Sequence, residues 1–133
     1  MQRVDIDSPE VFIDEQEVLH HRGHPFTGEA VEYQRGALVS LVTYEDGIEN
    51  GPLLEWYTDG TPRSRATMRG GFPVGEAHVW HPNGSLAARI LKSDDGLRQL
   101  ARLEWDEEGN VTATWHAEGS GGTVDSSSSP TPP

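Results

Sequence analysis

Glycine recurs along this chain in two parallel registers. Gly36, Gly60, Gly84 and Gly109 follow one another at intervals of 24, 24 and 25 residues, and Gly47, Gly71 and Gly96 at 24 and 25. A fixed period of roughly 20–50 residues marks a repeat architecture, in which each unit buries its apolar side against its neighbours. Such an array needs no deep core. That suits a chain of 133 residues, large enough for one domain, of which only 34% are hydrophobic and 8% aromatic.

The best-preserved unit is Gly51–Gly71, which turns at Asp59-Gly60. Gly28–Gly47 turns at Arg35-Gly36, Gly75–Gly96 at Asn83-Gly84, and a fourth unit, Leu97–His116, at Glu108-Gly109-Asn110. Asp-Gly and Asn-Gly are strong signals for a two-residue type I′ hairpin turn, because both tolerate the positive φ that this turn demands. The expected fold class is therefore all-β: tandem β-hairpins with a period of about 24, stacked as an elongated antiparallel sheet or meander. His20-His21-Arg22-Gly23 reads as the tail of a decayed first copy, so residues 1–22 are expected to form short N-terminal strands and a degenerate cap. Residues 23–117 are the hairpin array. The Gly/Ser/Pro tract at 118–133 has too little apolar surface to offset its ordering entropy and is expected to be disordered.

Alternation along the second strand of each unit groups Leu38, Ser40, Val42 and Tyr44, then Pro62, Ser64, Ala66 and Met68, then Leu86, Ala88 and Ile90, then Val111, Ala113 and Trp115. This small or apolar set is the expected inner face, and Arg63, Arg65, Thr67 and Arg89 belong to the opposite, solvated one. In the first strands Trp56, Trp80 and Trp105 each stand four residues before the turn glycine, so they are expected to stack on one line.

The motif Gly-Glu-x-x-x-Trp/Tyr-Tyr/His-x-Asn/Asp-Gly, followed by a strand and a second glycine, is repeated in register at Gly28–Tyr33, Gly51–Tyr57 and Gly75–His81. It resembles the MORN-repeat variant of bacterial YwqK-type antitoxins over residues 23–116. That resemblance implies a hairpin stack used for protein contact and an antitoxin role. The first unit departs from it, being one residue shorter between Gly28 and Tyr33, with Glu32 where Trp56 and Trp80 stand.

Lys and Arg number 10 against 22 Asp and Glu, a net charge of −12 that repels nucleic acid and anionic lipid surfaces. A protein or a cationic peptide is the better partner. With no cysteine, thiolate metal sites and thiol catalysis are excluded. The start Met1-Gln-Arg-Val-Asp lacks the apolar stretch of a signal peptide and no later run could span a membrane, so a cytoplasmic protein is expected. The glycines occupy turns and make no phosphate or dinucleotide loop, so no cofactor is expected. His78 and His81, three apart on a strand, point to opposite faces and cannot share a metal; none is expected, whereas Glu76 and His78 share a face.

Two functions follow. In the first, Trp56, Tyr57, Trp80, Trp105 and Tyr33, if they do not form a core spine, line an aromatic groove. Glu32 and Glu55, with Glu29, Glu76 and Glu104, rim it and hold Lys or Arg side chains. In the second, the chain is similar in size, acidity and lack of cysteine to small lanthipeptide-tailoring proteins that close lysinoalanine crosslinks. That resemblance implies addition of a substrate lysine amine to a dehydroalanine without a cofactor. A homodimer groove would orient the two groups, with His78, His81 or Glu76 as base, or a group of the substrate itself in that role.

Overall fold

The structure, a computed structural model, describes residues 1–117; the tail expected to be disordered lies outside them. It is all-β. Nine strands form one sheet in the order β1-β5-β6-β7-β8-β9-β10-β11-β12: β1 (Arg3–Asp5), β5 (Gly28–Gln34), β6 (Ala37–Glu45), β7 (Ile48–Trp56), β8 (Pro62–Arg69), β9 (Phe72–Trp80), β10 (Leu86–Lys92), β11 (Gln99–Trp105) and β12 (Val111–His116). From β5 onwards each strand pairs antiparallel with the next, the meander that the glycine period requires. The sheet is nevertheless mixed, because β1 enters parallel beside β5.

Between β1 and β5 the chain folds a second, three-stranded sheet of β2 (Val11–Ile13), β3 (Leu19–His21) and β4 (His24–Pro25). Arg22-Gly23 turns this small sheet rather than ending a first unit of the large one. Val4, Leu19, Phe26, Ala30 and Tyr44 form the principal buried cluster where the two sheets meet, and Leu19 is fully buried. The Gly47 turn is tied into the same place: Leu19 N–H donates to the Gly47 carbonyl at 2.9 Å, and Gly47 N–H to the Phe26 carbonyl at 2.8 Å.

The turns fall into two classes where one was expected. Arg35 and Gly36 both have positive φ (52° and 80°) and close a two-residue loop, as a type I′ turn does. At Gly60 the loop has three residues: Tyr57 N–H donates to the Thr61 carbonyl, Gly60 N–H returns to the Tyr57 carbonyl, and the Asp59 carboxylate accepts Thr61 N–H at 2.9 Å. Only the glycine there is left-handed, the pattern of a type I turn closed by a glycine bulge. Gly84 and Gly109 repeat it. The ladder also slips by one residue before Tyr33, Trp56, Trp80 and Trp105 alike, so Tyr33 stands in the tryptophan position and Glu32 in that of Glu55. The residue missing from the first unit is lost from its turn, not from its strand.

Burial does not follow one face. Tyr44 and Ala88 of the expected inner set are buried, but so are Leu41 and Leu103 on the other face, and Trp115 and Val111 stay 46% and 47% exposed. Among the described residues the sheet is capped at only one end, and such a sheet cannot cover one side throughout.

Candidate functional site

Successive hairpins are stitched through the residue that follows each tryptophan. The Tyr57 hydroxyl donates to the Trp80 carbonyl at 2.6 Å, and one unit later His81 Nε2 lies 2.8 Å from the Trp105 carbonyl. A carbonyl only accepts, so Nε2 carries the proton. His81 is thus a cross-unit tie. The fourth unit has Asp106 at this position, no further hairpin follows it among the described residues, and its carboxylate accepts Glu108 and Asn110 N–H in its own turn. We expect His81→Phe to lower stability by about 1–3 kcal/mol, the cost of orphaning an enclosed carbonyl. Denaturant unfolding checks this, and binding by the folded variant should be unchanged.

His78 and Glu76 do share a face, with His78 Nε2 3.2 Å from Glu76 Oε2, and the imidazole stacks on Trp80 at 5.8 Å between centroids. Glu76 is also held by Arg89 at 2.8 Å, which keeps its carboxyl below the usual carboxylate value. A carboxylate so stabilised is a weak base. Beside it lies a depression of about 170 Å³ lined by Glu76, Arg89, Leu91, Ala101, Leu103 and His116. His116 was not singled out by sequence reasoning, because it pairs with Ala101 across β11–β12 and reaches this site only through that register. His81 does not join the cluster, so the three residues proposed as acid–base groups are not brought together.

The aromatic set is likewise divided. Trp105 is 5% exposed and belongs to the core, Trp80 is half-buried under His78, and Tyr33 is 42% exposed. Among the described residues no two tryptophan rings pair, so the expected stack on one line is not formed. Trp56 and Tyr57 instead line a depression of about 220 Å³ with Glu32, Ser40, Glu55 and Arg63. The register sets Glu32 opposite Ser40, Ser40 opposite Glu55, and Glu55 opposite Ser64, so both carboxylates rise from one row on either side of a serine.

Charge pairing separates these two glutamates from the rest of the rim. Glu29 is bound by Arg3, Glu76 by Arg89 and Glu104 by Arg102. Among the described residues Glu32 and Glu55 have no cationic partner; Glu55 accepts a hydrogen bond from Ser64. Arg63 sits 5.9 Å from the centre of the Tyr57 ring, so the depression already accommodates one guanidinium against an aromatic face.

Among the described residues no group of three or more His, Asp or Glu could hold a metal ion, and no helix is long and apolar enough to cross a membrane. The chain matches no protein-family model, no curated protein and no solved structure.

Proposed function

We propose that this chain is a non-catalytic hairpin-repeat binding module, which docks a protein or cationic peptide through Glu32, Glu55, Trp56 and Tyr57. The observation that carries this reading is the pair of glutamates that, among the described residues, form no ion pair and lie beside accessible aromatic surface, while the other rim glutamates are neutralised from within. The net charge of −12 would speed encounter with a basic partner. An antitoxin role is one form of this function, with the basic surface of a toxin as the partner.

Lysinoalanine formation with a base from this chain draws less support, because that base must be free to take a proton from an ammonium. His81 is engaged by a carbonyl, Glu76 by Arg89, and His78 Nε2 by Glu76. Unchanged dehydroalanine after incubation with a dehydrated, thioether-cyclised precursor would remove that reading for the peptide used.

The binding reading is tested by titrating a Lys/Arg-rich peptide into the protein by calorimetry. Partly exposed ion pairs contribute up to about 1 kcal/mol each, so the double variant Glu32→Gln/Glu55→Gln should weaken binding roughly five- to thirtyfold at low salt. Equal affinity in the variant, or binding insensitive to salt, would defeat the proposal.

A further inference from the structure

Most of the free strand edges in this fold are protected. β1 is three residues long, flanked by charge and tied down by the Arg3–Glu29 ion pair. In the small sheet, β2 is three residues long and β4 two, ending in Pro25. Short, charged or proline-bearing edges are the usual means of preventing edge-to-edge pairing.

β12 has none of these devices. Val111-Thr-Ala-Thr-Trp-His116 is six residues long, carries no carboxylate, lysine, arginine or proline, and is exposed along almost its whole length. Among the described residues no strand pairs with its outer side. The backbone polarity of that side follows from the ladder. Ala117 N–H donates to the Leu100 carbonyl, and hydrogen-bonded positions alternate along an antiparallel pair, so Ala113 and Trp115 bond inward to β11 while Thr114 and His116 present N–H and C=O outward.

We infer that two copies of this chain pair antiparallel through β12, about a two-fold axis at Thr114. In that register Thr114 exchanges backbone hydrogen bonds with its own copy, and His116 N–H meets the Thr112 carbonyl of the second molecule. The exposed Trp115 ring then lies over Ala113 of the other copy, large against small, and the two Thr114 hydroxyls face each other on the opposite side. The ladder slip between Glu104 and Trp105 leaves Thr112 as the extra residue of a bulge, so the alternation, and with it the pairing, ends at the Thr112 carbonyl. The chemistry of the edge favours a second copy over the cationic partner proposed above, because β12 offers no carboxylate to hold a cation. The inference does not depend on the function of the Glu32–Glu55 site.

Sedimentation of the full chain provides the test. The wild type should be a dimer at tens of micromolar, tightening as salt screens the repulsion between two acidic chains, whereas binding of a cationic peptide should weaken. Thr114→Pro removes an outward N–H without removing a bond to β11, as an edge strand tolerates, and should give a folded monomer. Thr114→Lys should do the same if proline perturbs folding. Because the chain has no cysteine, Thr114→Cys should crosslink two molecules on mild oxidation, its Cα pair being about 5.5 Å apart and within disulfide reach. Thr112→Cys should not, since its two copies lie more than about 13 Å apart in this register. A wild type that stays monomeric at hundreds of micromolar overturns the inference. So does a dimer that survives both Thr114→Pro and Thr114→Lys, or crosslinking at position 112 instead of 114.

Discussion

Trp105→Ala should destabilise the fold by about 3–5 kcal/mol, the range for removing a buried aromatic side chain. That corresponds to a fall in melting temperature on the order of 10–20 °C for a domain of this size. Trp105 is 5% exposed, and its carbonyl receives His81 from the preceding unit, so this buried residue lies where the third hairpin is tied to the fourth. Its indole Nε1 is enclosed without a hydrogen-bond partner. Trp105→Phe should therefore cost far less than Trp105→Ala, because it keeps most of the ring and removes an unsatisfied donor. Thermal unfolding of both variants checks the pair. A peptide-binding role for Trp105 would give the opposite pattern, with affinity lost in Trp105→Ala and stability retained.

The fold was legible in the sequence to the extent that backbone geometry imposes a period. Gly60, Gly84 and Gly109 hold turns, and a left-handed glycine every 24 or 25 residues locates the hairpins whatever the side chains between them. The turn class was not legible from Asp59-Gly60 alone, because that dipeptide suits both a two-residue and a three-residue loop. The deciding signal was the distance from aromatic to glycine, three residues in Tyr33–Gly36 and four in Trp56–Gly60. The parallel entry of β1 left no trace in periodicity, since a strand of three residues has none.

The site was harder to read. His81 resembles a ligand or a base as long as only side chains are compared, and its partner is a backbone carbonyl 24 residues on. The row of rim glutamates was visible, but which of them are free depends on register. Arg89 stands opposite His78 and so reaches Glu76 diagonally, and Arg102 neutralises Glu104 two residues along its own strand. Subtracting those pairs, and Glu29 with its partner Arg3, leaves Glu32 and Glu55, a distinction that a count of carboxylates cannot make.

Gly47→Ala should cost more than 3 kcal/mol, against about 1 kcal/mol for Gly36→Ala. Both glycines are left-handed in type I′ turns, with φ of 83° and 80°, so the backbone strain of an added Cβ is nearly the same. Their surroundings differ. A Cβ at Gly36 would meet nothing within 4 Å, whereas one at Gly47 would collide with Val18 Cγ1 and lie 2.8 Å from the Leu19 carbonyl oxygen. Relief would require the small sheet to move, yet that sheet is bonded to Gly47 through Leu19 N–H and the Phe26 carbonyl, and it carries the fully buried Leu19. The excess cost is thus the coupling between cap and array. Hydrogen exchange should show protection lost first across residues 11–26, with the hairpins from Gly51 onwards unaffected until global unfolding. Equal costs for the two substitutions would mean that the cap yields freely and adds little to the stability of the array.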